Sequence, residues 1–111
     1  MPKTKIYLAG PIQGMSGQNY NEFRLAEDHL KKLGLTVVHA HSLLDSIDIG
    51  GFKPEDLLCL RISEMVMCHE IITLKEWERD PDAKREVEIA RLLGKPVDTI
   101  IKYIPADANK R

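Results

Sequence analysis

The chain has almost no net charge, only two cysteines and no long apolar run, and each shortage removes a class of function. Sixteen Lys and Arg against seventeen Asp and Glu leave a formal net charge of −1, so no basic field draws phosphate backbones or anionic lipid. A nucleic acid polymer is therefore not an expected partner. Cys59 and Cys68 form no CxxC pair and fall in or beside one helical segment. They read as small buried thiols and not as a disulfide or metal framework. No apolar stretch reaches the length of a membrane helix or a secretory core, so a membrane partner is not expected and a reducing cytoplasmic setting is. GxGxxG is missing too: the glycines at 10, 14 and 17 do not spell the dinucleotide fingerprint, and no cofactor is expected. His39 and His41 make an HxH pair without a third ligand at metal spacing, which argues against zinc. There is no internal repeat, linker or low-complexity tract.

At 111 residues with 43% hydrophobic and 30% charged residues, the chain suits one globular domain. We place that domain at residues 1–104, with 105–111 as a flexible polar tail. Residues 5–9 are short, apolar and rich in strand formers, as in a buried parallel strand. A Gly-rich loop follows, and a helix is expected from Asn19, with Glu22 three residues later completing a capping box. Phe23, Ala26, Leu30 and Leu33 recur at helical spacing before Gly34. Residues 35–38 read as a second strand, and 39–53, without a steady period, as a loop over the sheet edge. Pro54 starts a helix whose apolar face holds Leu58, Ile62 and Met65. Residues 69–74 make a third strand. Asp80 and Pro81 cap and open another helix, with Ala83, Val87, Ala90 and Leu93 inward and Gly94 as its stop, and 97–104 make a fourth strand. Strands alternating with helices imply an α/β fold, a small open parallel sheet of about four or five strands with right-handed crossovers. Its open edges favour a homodimer or higher homo-oligomer.

In such a sheet the ligand crevice lies at the carboxyl ends of the strands, where three loops converge: 10–18, the residues after Val38, and 75–80. Glycine lets the first of these approach a ligand closely beside a helix N-terminus. Glu86 is more pointed. It shares a stripe with Ile89, Ala90 and Leu93 at i, i+3, i+4 and i+7, so its carboxylate faces inward and needs either a crevice or a partner. On spacing alone a salt bridge to Arg61, Arg79 or Lys84 is the stronger reading, and Glu88 faces solvent. Tyr7, near the outgoing end of the first strand, offers a phenol to a carboxylate or sugar hydroxyl, or simply packs. Trp77 stacks on a planar ring or caps the core.

Tyr7-Leu8-Ala9-Gly10-Pro11-Ile12 with Gly14, Asn19 and Phe23, then Leu74, Trp77-Glu78, Ala83-Lys84-Arg85-Glu86 and Leu93-Gly94-Lys95-Pro96, resembles the nucleoside 2-deoxyribosyltransferase-like superfamily. Within it the chain is most similar to small DUF4406 proteins, which are frequent in phages and prophages. The resemblance implies a Rossmann-like sheet and cleavage or exchange of the N-glycosidic bond of a deoxynucleoside or nucleotide. Glu86 would be the nucleophile and Tyr7 would position it. Gly10, Pro11, Gln13, Gly14, Asn19, Asp56 and Trp77 would contact substrate, with a neighbouring subunit completing the site. A carboxylate attacking the anomeric carbon gives a glycosyl-enzyme ester, which water or a second base resolves. A non-catalytic binder of a nucleotide-like ligand is the alternative. Five positions depart from the pattern. Arg61 stands where an Asp assists the leaving base, which leaves Asp56, Asp45 or Asp48 to supply the acid. Pro11 and Gln13 stand where Ser and Arg hold a phosphate, and Asp80 and Asp82 where Ser and Gly precede the nucleophile.

Overall fold

The computed structural model describes residues 4–12, 14–46 and 54–103, the side chains of 44–46 and 54–55 excepted. Four strands, β1 (Lys5–Ala9), β2 (Thr36–Val38), β3 (Glu70–Thr73) and β4 (Val97–Thr99), form one parallel sheet in the order β2-β1-β3-β4. Ile6 pairs with Val37 on one side of β1 and with Glu70 on the other, and Ile71 pairs with Val97. Because β1 is followed in space by β2 on one side and β3 on the other, the chain reverses direction across the sheet between β1 and β3. That is where an open α/β sheet leaves its crevice.

Alternation along β1 splits the core into two layers. Ile6 and Leu8 face α1 (Tyr20–Lys32) and pack with Phe23, Ala26 and Leu30. Tyr7 and Ala9 face α3 (Pro54–Val66) and α4 (Pro81–Leu92), packing with Met65, Val87 and Ala90. Both α1 and α4 stop at a glycine in the left-handed region, Gly34 at φ 88° and Gly94 at φ 76°. In each, the amides of the glycine and of the residue after it bond back to carbonyls of the last turn: Gly34 to Lys31 and Leu35 to Leu30, Gly94 to Arg91 and Lys95 to Ala90.

Several expectations from the sequence are corrected. Residues 39–53 are not all loop: α2 spans Ala40–Ser46. Its first turn is held by an unusual cap, in which the His39 ring Nδ1 accepts from the Ser42 amide at 3.2 Å and the Ser42 hydroxyl accepts from the His39 amide at 2.9 Å. This is a capping box with imidazole and hydroxyl in the usual acceptor places. Asn19 does occupy the N-cap position of α1, as expected, but it sits at φ 62° behind a 3-10 turn over Ser16–Asn19 and its side chain makes no cap bond. Leu33 and Leu93 are exposed, 55% and 54%, because each is the first residue beyond its helix. The fourth strand ends at Thr99, opposite the last residue of β3, and Ile100–Lys102 turn as a 3-10 helix that drops Ile100 into the α1 layer. Without a neighbour to pair with, the strand has no ladder to continue. The expected tail at 105–111 lies outside the described residues.

Candidate functional site

α4 is set by its first turn. Asp80 accepts from the amides of Asp82 and Ala83 at 2.9 and 3.2 Å, with Pro81 at the first helical position. This relieves the free donors of the helix start. The other Asp80 oxygen accepts from the Ile12 amide at 2.8 Å, so the loop after β1 is tied to α4. The same loop is tied to α2, since His41 Nε2 donates to the Gln18 carbonyl at 2.9 Å. The three loops expected to converge therefore do so.

Six residues into α4, Glu86 points at the sheet and is fully buried. The Tyr7 phenol donates to its Oε2. Arg61 of α3 adds a two-pronged contact, Nε to Oε2 at 3.1 Å and Nη2 to Oε1 at 3.0 Å. Arg61 Nη1 lies 3.7 Å from Asp82, which Arg85 also holds at 2.9 Å. Of the three cations that the sequence offered, Arg61 is thus the partner of Glu86. Arg79 pairs with Glu76, and Lys84 is exposed, as is Glu88. Burial raises the Glu86 carboxyl above the ordinary carboxylate range, while Arg61 and Tyr7 pull it back down. Burial, and then the Glu86 charge, push the Tyr7 phenol well above its usual value. The guanidinium stays charged: burial disfavours its charge, but Glu86 more than compensates. A forked Arg–carboxylate bond of this kind is strong and directional.

The other named positions divide. Gly10 is buried at the end of β1, and a Cβ there would lie 2.8 Å from the Leu74 side chain. Glycine is thus required by the close approach of two strand ends. Pro11 is buried beside it; Gln13 lies outside the described residues. Gly14 is exposed at φ 76° with open space around its Cα, and Asn19 is buried at the foot of the same loop. Asp56 is exposed on the first turn of α3, while Arg61, further along that helix, is the α3 residue on Glu86. Residue 48 and the Asp45 side chain lie outside the described residues. Trp77 is half-buried in a 3-10 turn, with the Arg91 guanidinium 5.9 Å from its ring. It packs on the α3–α4 layer.

A cavity of about 640 Å³ opens at the carboxyl ends of the strands, lined by Met15, Leu25, Leu74, Glu76 and Ile101 among others. Its lining includes neither Glu86 nor Tyr7. The carboxylate lies under the other face of the sheet and is closed off from solvent. Cys68 is buried and Cys59 exposed, both as free thiols. Among the described residues no three His, Cys, Asp or Glu side chains gather as a metal site, and no helix is long and apolar enough to cross a membrane.

The geometry can be set against known proteins. A 2-deoxyribosyltransferase from the psychrotolerant bacterium Bacillus psychrosaccharolyticus, characterised as a biocatalyst for nucleoside synthesis, has a similar structure. Its TM-score is 0.69 at 24% identity, covering 86% of this chain and 71% of that one. The likeness establishes a shared Rossmann-like fold. None of the curated proteins matches the chain. The sequence pattern of one family, a domain of unknown function called DUF4406, matches residues 4–99, and the chain belongs to that family.

Proposed function

We propose that the protein cleaves or exchanges the N-glycosidic bond of a 2-deoxynucleoside, with Glu86 as the nucleophile and Tyr7 holding its carboxylate in position. The observation that carries this reading is a fully buried carboxylate, bonded by the phenol of Tyr7 on β1, the strand beside which the chain reverses direction across the sheet. Carboxylates in apolar surroundings with a raised proton affinity and a dedicated orienting partner mark functional sites more often than surface ion pairs do. Glu86 attacks the anomeric carbon as oxocarbenium character develops, giving an ester that water opens to the free sugar or a second base opens to a new nucleoside. A free nucleoside suits the first loop better than a monophosphate. The Ile12 amide and the start of α4, which would otherwise bind an anion, already hold the Asp80 carboxylate.

Self-association belongs to the same proposal. Val66 and Met67 at the end of α3 and Leu92 and Leu93 at the end of α4 are exposed. The Lys95 ammonium on the Cys68 carbonyl holds these two helix ends together, giving an apolar patch that a second copy would cover. Sedimentation at assay concentration should show an oligomer; a monomer would remove this part.

The decisive experiment incubates the protein with a mixture of nucleosides and nucleotides and measures free bases by mass spectrometry. Base release or exchange above a Glu86→Gln control is expected, and its absence across the panel overturns catalysis. A second reading, a non-catalytic binder of a nucleoside-like ligand, is favoured by one observation: both Glu86 oxygens are occupied and neither reaches solvent. A ligand that raises the melting temperature and is recovered intact would select it.

A further inference from the structure

We infer that Arg61 is the leaving-group side of the site, stabilising a departing base as an anion, so that the preferred substrates are nucleosides whose base has an acidic ring N–H. The inference rests on the glycosidic reading above. Its starting point is charge. In the resting structure the buried guanidinium is balanced by Glu86 at 3.0 and 3.1 Å. When Glu86 becomes a neutral ester, that balance is lost at the moment when negative charge appears on the base nitrogen. An unpaired charge in a dry site is strongly disfavoured, so the guanidinium transfers its pairing from carboxylate to leaving group. Its outer edge is the part free to do this. Nη1 makes only a 3.7 Å contact to Asp82, itself held by Arg85.

Among the described residues the same neighbourhood supplies no proton donor suited to the base. Arginine does not release a proton near neutrality, and the buried phenol of Tyr7 is committed to Glu86. Asp82 is engaged by two guanidinium groups, and Asp56 is exposed on the first turn of α3. The step therefore runs without general acid catalysis from the described residues. A Glu86 oxygen bonds to C1′, the C1′–N bond breaks, and its electron pair stays on the ring nitrogen. Water protonates the departing base, and the hydroxide left behind is consumed when the ester is hydrolysed. Sugar, neutral base and free carboxylate are the net products, with one water used.

Such a mechanism depends steeply on how well the base carries negative charge, whereas one with a matched general acid does not. The test measures first-turnover base release, which reports C1′–N cleavage alone. Its substrates are 5-fluoro-2′-deoxyuridine, 2′-deoxyuridine, thymidine and 2′-deoxycytidine, pyrimidines of similar shape and decreasing leaving ability. The rate should fall along the series for the wild type and fall more steeply for Arg61→Gln. The variant should lose about tenfold or more on the poorest member relative to the best, in line with the typical worth of a positioned charge. Arg61→Lys, which keeps the charge, should restore most of the lost ratio, an effect that a purely structural role would not produce. Equal rates across the series, or an equal loss on every member in Arg61→Gln, would overturn this inference and leave the glycosidic reading standing. Failure to cleave even the 5-fluoro substrate above Glu86→Gln would overturn both. Melting curves of each variant confirm that folded protein is compared.

Discussion

Each face of the sheet carries a carboxylate in partnership with a nitrogen base, and the two pairs are built differently. On the α3–α4 face, Glu86 is met by Arg61 and Tyr7, and every bond between them runs from side chain to side chain. On the α1 face, Glu27 meets His39 Nε2 at 2.8 Å, and His39 is woven into backbone through the Ser42 amide. His41 beside it grips the Gln18 carbonyl, and Phe23 lies against both rings, tilted to His39 and edge-on to His41, with centroids 5.1 and 5.2 Å away. A group that closes a helix cap cannot move without loosening the chain. One held only by other side chains can exchange partners while the backbone stays in place. Pairing alone does not separate a structural site from a chemical one; what the partners are attached to does.

The first way to break the comparison is Glu86→Gln. If the α3–α4 pair is the chemical one, base release should fall by about three orders of magnitude, the scale on which loss of a nucleophile is felt, with the fold retained. Mass-spectrometric detection of free base checks it. His39→Ala should do the reverse, lowering unfolding free energy by about 2–3 kcal/mol through loss of a cap and a buried ring. Turnover per folded molecule should remain unchanged, and chemical denaturation beside activity separates the two effects. Tyr7→Phe should slow first-turnover base release about tenfold or more by freeing the carboxylate from its orienting donor.

The smallest effect is in pH. Glu86 holds its proton more tightly when folded, because burial outweighs Arg61 and Tyr7. The stability that it contributes is full at acid pH and is lost as pH climbs through its raised value. Glu27 is shifted downward: burial raises it, but the bonds from Lys31 and His39 prevail. Its contribution is present above the ordinary carboxylate value and is lost as pH falls. Relative to wild type, Glu86→Gln should therefore gain stability as pH rises above the ordinary carboxylate value, whereas Glu27→Gln should lose stability as pH rises toward that value and show no further change above it. Parallel slopes in the two titrations of unfolding free energy would erase the distinction.

Much of this arrangement was legible beforehand, for local reasons. Alternation in 5–9 announced a strand with two packed faces. The glycines at 34 and 94 fixed two helix stops, Asp80-Pro81 a helix start, and the stripe through Glu86 an inward carboxylate. The partner of Glu86 was not legible: Arg61, Arg79 and Lys84 are equal candidates until α3 is laid beside α4, which only the sheet order decides. The helix at 40–46 was hidden because its cap uses imidazole, a group that sequence patterns do not count as a capping acceptor. Asn19 marks the helix start correctly but not the bond. It has the composition of a cap, but the turn before it, anchored by His41, holds it in the left-handed region. Leu33 and Leu93 continued a period past the point where their helices end.

The bond from the Ile12 amide to Asp80 has a mechanical consequence. It fastens the loop after β1 to the head of a stiff rod, and Glu86 rides on that rod six residues along, about 9 Å at the helical rise. Anything that draws the loop aside must either snap this stay or swing the head of α4 with it. Whatever grips the mouth of the molecule thereby also pulls on the carboxylate sealed beneath the sheet.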